Sequence, residues 1–290
     1  MFEGFERRRV PLAAGEINLV AGGTGPGLLL LHGYPQTHAI WHKIAPDLAR
    51  HFTVVCPDLR GYGDSMKPPG GAEHAAYAKR AMAQDQVDVM AALGFRRFAV
   101  AGHDRGGRVA HRLALDHEPA IERLAVLDIC PTYAMFAEAD QEFATAYYHW
   151  FFLIQPEPLP ERMIGADPEF WVNSKLGQWG RDAAAFTPEA RAEYIRCFRD
   201  PATIHASCED YRAAAGIDLA HDGPDQQRRL AMPVLVLWGA KGFIGRRYDP
   251  LAEWRRRARD VTGAALPCGH FLPEEQPRAT LDALLGFFHP

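Results

Sequence analysis

The run Phe98-Ala99-Val100-Ala101 passes directly into Gly102-His103-Asp104-Arg105-Gly106-Gly107, and a helical stretch at 108–117 follows without a linker. A buried strand that turns this abruptly into a helix needs small residues on both sides of the turn. Gly102 and Gly106 supply them, and Gly107 lets the helix lie close to the strand. The apex residue projects from the end of the sheet at a helix N-terminus. Backbone N–H groups and the helix dipole favour negative charge there. Asp104 occupies that apex, and Asp tolerates a strained backbone better than most residues. An Asp before a helix can also be a simple cap, so the remainder of the chain must decide its role.

Short apolar runs at 28–31, 52–56, 124–129 and 234–238 have the length and flanking Gly, Pro or Asp of buried parallel strands. Between them, 77–93 reads as a helix, with Met82, Val89, Met90 and Leu93 on one face. Another helix is expected at 281–288. Alternating strand and helix predicts an α/β class: a mostly parallel central sheet with helices on both faces. The alternation stops after Ile129. Residues 132–229 show no strand rhythm and are rich in aromatics and Pro, which predicts a helical cap inserted into a core made of 1–131 and 230–290. A chain of 290 residues is large enough for such a division.

Composition narrows the function. Hydrophobic residues at 48% and charged residues at 23% are ordinary for a folded globular protein. A net charge of −4 offers no basic excess for nucleic acid. No apolar run approaches the ~20 residues of a membrane span, and the charged N-terminus lacks a signal-peptide core. A cytoplasmic location is therefore expected. The five cysteines are scattered, with no CxxC pair, so neither a disulfide framework nor a zinc site is expected. His38, His42, His111, His205 and His221 form no metal-ligand spacing, and no cofactor is implied. Asp58-Leu59-Arg60-Gly61-Tyr62-Gly63 is glycine-rich, but its spacing and context are not those of a phosphate loop.

Three further segments accompany the elbow. Leu29-Leu30-Leu31-His32-Gly33-Tyr34-Pro35 is a strand ending in an HG loop, Pro57-Asp58-Leu59-Arg60 follows the next strand, and Gly269-His270-Phe271 lies near the C-terminus. Their order is similar to that of α/β-hydrolases, where the HG loop and the residue after the nucleophile supply the oxyanion-hole N–H groups. Here those are Tyr34 and Arg105. An Asp nucleophile needs no base before it attacks. It displaces a leaving group from an sp³ carbon and becomes an ester, which base-activated water then hydrolyses. His270 is the candidate base. Its acid partner is expected at Asp128, at the end of the 124–129 strand, because the loop after 234–238 has no acid before Asp249.

The chain resembles fluoroacetate dehalogenases over essentially its whole length. The resemblance rests on His32-Gly33-Tyr34-Pro35-Gln36, His103-Asp104-Arg105-Gly106-Gly107-Arg108, Val126-Leu127-Asp128-Ile129, Tyr148-His149-Trp150, Cys208-Glu209-Asp210-Tyr211-Arg212-Ala213 and Gly269-His270-Phe271-Leu272-Pro273-Glu274-Glu275. It implies Asp104 as nucleophile, His270 as base and Asp128 as its partner. It also implies Arg105 and Arg108 on the substrate carboxylate, and His149, Trp150 and Tyr211 around departing fluoride. A small halocarboxylate would be the substrate, and a homodimer the assembly. Two positions depart from the family pattern: Tyr34 stands where Phe is expected and Cys268 where Ser is usual. The residue chemistry agrees with the implied roles. Arg105 and Arg108, three apart at a helix start, would offset repulsion between Asp104 and an anionic substrate. Imidazole, indole and phenol are the neutral donors that departing fluoride needs. An epoxide hydrolase, with Tyr211 and Tyr148 as acids, is the enzymatic alternative. A non-catalytic small-molecule receptor is the other.

Overall fold

The computed structural model describes residues 1–289, so Pro290, the last residue of the expected core segment, lies outside the described residues. Eight strands form one sheet: β1 (Phe5–Leu12), β2 (Gly15–Gly22), β3 (Gly27–Leu31), β4 (Thr53–Pro57), β5 (Phe98–His103), β6 (Ile121–Leu127), β7 (Val234–Gly239) and β8 (Val261–Leu266). Their spatial order is β1-β2-β4-β3-β5-β6-β7-β8. β1, β2 and β4 pair antiparallel, and every pairing from β4 through β3 to β8 is parallel. The five strands read from apolar runs are all present within one or two residues at their starts, except β6, which begins earlier. β1, β2 and β8 were not anticipated. β1 carries Arg7, Arg8 and Arg9 outward, and β8 buries only its last residue fully, so neither presents a continuous apolar run. Both are edge strands, where charge and exposure guard against pairing with another chain.

Alternate residues divide the core between the two sheet faces. Leu29, Leu31, Val100, Val126 and Val236 point to one side and Leu28, Leu30, Ala101, Leu127 and Leu237 to the other. The first cluster continues without a break into Met135, Phe143, Trp150 and Tyr194, so one face of the sheet is roofed by the inserted helices. These lie between β6 and β7 and include Thr132–Ala137, Gln141–Ala146, Tyr148–Leu153, Pro168–Trp179, Pro188–Phe198 and Pro201–Ala215. Three of them start at a written signal, a capping side chain followed by Pro: Asp167-Pro168, Thr187-Pro188 and Asp200-Pro201. Each cap accepts a backbone N–H at 2.9–3.3 Å.

Candidate active site

The elbow joins β5 to the helix Arg105–Asp116, which begins three residues before the expected start. Its small residues are required sterically. A Cβ on Gly102 would stand 2.4 Å from the Gly106 carbonyl oxygen, and one on Gly106 would stand 2.4 Å from that of His32. Asp104 itself sits at φ 48°, ψ −119°, a conformation that costs of order 1–3 kcal/mol and persists because its surroundings enforce it. The Tyr34 backbone N–H donates to its Oδ2 at 2.9 Å. Burial pushes the Asp104 carboxyl up, but His270, His103, Arg108 and Arg105 outweigh it and hold the group below its ordinary value. Asp104, at the expected nucleophile position, is therefore held as an ionised carboxylate.

Behind it, His270 Nδ1 donates to Asp128 Oδ2 at 2.6 Å, and the Gly239 N–H at the end of β7 donates to Oδ1 at 2.9 Å. The expected acid is thus paired with the expected base. Burial would lower the His270 imidazole, yet its bond to Asp128 and the charges of Asp128 and Asp104 raise it above the usual value. Two anchors place the ring. His103 Nε2 donates to the His270 carbonyl at 2.8 Å, and burial holds the His103 imidazole down to about 3, hence neutral. Glu275 accepts the N–H groups of Gly269, Phe271 and Arg181 at 2.8–2.9 Å. The His270 N–H in turn donates to the carbonyl of Trp179, in the cap.

The two arginines have different environments. Arg105 gives Nε and Nη2 to the Asp210 carboxylate at 2.8 and 2.7 Å, and Nη2 also to the Asp210 carbonyl, leaving Nη1 without a partner. It keeps one free NH2 group, Nη1, rather than a free fork. Arg108 has no carboxylate partner among the described residues. Its Nη1 donates to Thr132 Oγ1 at 2.9 Å, its guanidinium lies 4.7 Å from the Trp150 ring centroid, and its buried Nε is unpartnered.

A small chamber of about 10 Å³, room for roughly one water, is walled by Asp104, Arg108, Tyr147, His149, Trp150, Trp179 and His270. Asp128 lies behind His270. Tyr34, Arg105 and Tyr211 form the layer behind the wall: the Arg105 guanidinium is 4.2 Å from the Tyr211 ring centroid, and the rings of Tyr34 and Tyr211 meet edge to face. His149 Nδ1 and the Tyr211 hydroxyl are buried and unpartnered. Burial, then Lys175, keeps the His149 ring neutral. Tyr148 is outside the chamber, and its hydroxyl is taken by the Lys175 ammonium. Sequence reading missed Tyr147 and Trp179 as walls, Asp210 as the partner of Arg105, and Glu275. For Tyr147, the aromatic run 147–152 was the available signal; for Trp179, on the last turn of a cap helix, the sequence offered none. Among the described residues, no group of three or more His, Cys, Asp or Glu is arranged to hold a metal ion, and no helix is long and apolar enough to cross a membrane.

Comparison with known proteins matches residues 26–277 to the family model described as the alpha/beta hydrolase fold. The chain belongs to the α/β-hydrolase family. Within it, the chain is 50% identical over 288 residues to a fluoroacetate dehalogenase of Burkholderia sp., covering 99% of this chain and 95% of that protein. The resemblance read from the motifs is therefore a homology over the full α/β-hydrolase domain and cap. A soluble epoxide hydrolase of Corynebacterium sp. (strain C12) is 34% identical over 281 residues, covering 94% of each. The crystal structure of ALR0039 from Nostoc sp PCC 7120 superposes with a TM-score of 0.99 at 62% identity, over 100% of this chain and 99% of that one. The chain is thus a hydrolase of the Asp-nucleophile α/β-hydrolase type for small halogenated or epoxide substrates.

Proposed function

We propose that this hydrolase is a haloacetate dehalogenase that converts fluoroacetate and water to glycolate and fluoride. The observation that carries the reading is Arg108: a buried guanidinium with no carboxylate partner, on the wall of the Asp104 chamber. A neutral epoxide gives such a cation nothing to bind, whereas a carboxylate does. The second cap tyrosine that an epoxide would need as acid, Tyr148, is turned away and engaged by Lys175.

With its carboxylate on Arg108 and the free Nη1 of Arg105, haloacetate presents its C2 to Asp104. An Asp104 oxygen forms the new C–O bond as the C–F bond breaks, and fluoride leaves with the bonding pair. His149, Trp150 and Tyr211 are the donors assigned to it. At ~2 kcal/mol per charge-assisted bond, each is worth somewhat over tenfold in rate. His270 then takes a proton from water, and the hydroxide adds to the ester carbonyl carbon of Asp104. The Tyr34 N–H, which meets Asp104 Oδ2 at 2.9 Å, and the Arg105 N–H are the donors assigned to the oxyanion. Collapse releases glycolate, which receives the proton from His270, and leaves Asp104 as a carboxylic acid that loses the second water proton to solvent, while Asp128 supports the imidazolium in between. Segments 1–131 and 230–290 act as the core and 132–229 as the cap. The implied homodimer has support in Leu159, Met163 and Phe170, large apolar side chains exposed on the cap.

The test is fluoride and glycolate released by purified protein from fluoroacetate, run beside diol formation from a small epoxide. Equimolar fluoride and glycolate support the reading. Diol without fluoride overturns it in favour of epoxide hydrolysis.

A further inference from the structure

A second cavity, of about 220 Å³, lies outside the chamber, with Tyr147, Trp179 and His270 common to both. The three shared side chains are the partition between an inner room and an outer one. The outer room reaches the surface, where it shares Phe243 and Arg246 with a shallower hollow of about 470 Å³.

Its mouth is cationic. Arg181 and Arg246 line it, both exposed, and neither has a carboxylate partner among the described residues. Each gives Nε only to a backbone carbonyl at 3.2 Å, that of Lys241 and of Gly242 respectively. The nearby acids are already spent: Asp140 and Glu142 pair with Arg247, and Asp128 with His270. A third cation lies behind the partition, 5.5 Å from the Trp179 ring centroid. The Lys175 ammonium is buried among the rings of Tyr148 and Trp171, at 4.1 and 4.3 Å from their centroids, with no carboxylate. A chain with a net charge of −4 thus presents two cations without carboxylate partners, Arg181 and Arg246, on the cavity that adjoins the Arg108 chamber.

We infer that the outer cavity is an anion vestibule that captures a small carboxylate before it passes Tyr147 and Trp179, with Arg181 and Arg246 as the residues that favour anions over neutral molecules. The inference rests on the haloacetate reading of the inner site. Its physical basis is long-range. Charges at the mouth of a low-dielectric cleft concentrate oppositely charged ligand and raise its association rate, and dissolved salt weakens the effect.

Acetate is a suitable probe, because it has the substrate's charge and is not turned over. Its association rate constant would be followed by stopped-flow tryptophan fluorescence, since Trp150 and Trp179 form chamber walls. Ionic strength would be raised with sodium gluconate to avoid halide, and acetamide would serve as the uncharged control. For the native chain the acetate rate should fall steeply with ionic strength. In Arg181→Ala/Arg246→Ala it should be about tenfold lower at low salt and nearly independent of salt. Arg246→Glu, a surface change remote from the Glu275 contacts, should lower it further still. Acetamide should associate equally with all three, which also establishes that the variants are folded. Unchanged acetate rates and salt slopes in both variants would overturn the vestibule. So would an equal loss for acetamide. Because acetate binding needs no turnover, these outcomes are separate from failure of the haloacetate reading, which would appear as absence of fluoride release by the native chain.

Discussion

Glu275 brackets His270: its Oε2 holds the Gly269 N–H and its Oε1 the Phe271 N–H, each at 2.9 Å. One carboxylate thereby holds the N–H groups of the residues on either side of His270, and its third bond, to Arg181, ties the cap to the same loop. Its charge also helps to raise the His270 imidazole. Glu275→Gln should therefore lower the rate at saturating substrate by about tenfold, the loss of roughly one charge-assisted bond. It should also move the acid limb of the rate profile to lower pH. A purely structural role would lower activity without moving the limb.

The pH profile of the native protein has a definite sign. His270 works as a base only when neutral, and its folded-state value is raised above 6.5 by Asp128 and Asp104 against burial. Activity should be lost as pH falls through that raised value, so the acid limb lies above 6.5. Asp128→Asn removes the chief raising cause, and its residual activity should show a limb at lower pH. A native limb near 5 would contradict the assignment.

Covalent chemistry separates fluoride release from water attack. His270→Asn should release up to one equivalent of fluoride per site and then stop, leaving a glycolyl ester on the peptide that contains Asp104. Mass spectrometry of that peptide is the measurement. Direct attack of water on the C–F carbon predicts no burst and no adduct in this variant.

Arg105 and Arg108 should differ in what their loss damages. Arg105→Met breaks a fully buried pair with Asp210, which keeps the Lys79 ammonium and the Tyr62 hydroxyl as partners, and should cost about 1–3 kcal/mol of stability as well as activity. Arg108→Met strands no carboxylate other than the nucleophile, so haloacetate use should fall by orders of magnitude with little destabilisation. Denaturant titration beside kinetics on each variant makes the comparison, and equal stability losses would refute it.

Leaving-group donors should matter most for the halide with the most concentrated charge. His149→Ala, Trp150→Phe and Tyr211→Phe should each lower fluoride release more than bromide release from the matching haloacetates. The ratio of the two rates in each variant is the readout, and equal losses would point to general damage to the cap.

The parts of this molecule that could be read from its sequence are those where one physical requirement governs a short segment. The elbow was legible because only small residues fit between a strand and a helix, and Asp128 because a strand end facing the base needed an acid. The edge strands were not, since β1 and β8 satisfy their pairing without a continuous apolar run. Nor were Asp210 and Glu275. Asp210 meets Arg105 across 105 positions, and Glu275 adds to its local bonds with Gly269 and Phe271 one to Arg181 across 94; no local pattern encodes the long partnerships. Trp179 became a wall only through the folding of the cap.

The chain leaves the sheet just past Asp128 and returns in β7, whose final residue, Gly239, donates to the same carboxylate. β6 and β7 pair directly, Leu127 opposite Leu237, despite the long detour between them. Closing a longer loop adds little entropy cost, because that cost grows only with the logarithm of its length. The proposed acid and base are thus held by the scaffold, while the inserted segment, to which the proposed reading gives the choice of substrate, hangs from it as an exchangeable module. Evolution can rewrite the roof without moving the foundations, and a dehalogenase and an epoxide hydrolase can share nearly the whole of this plan.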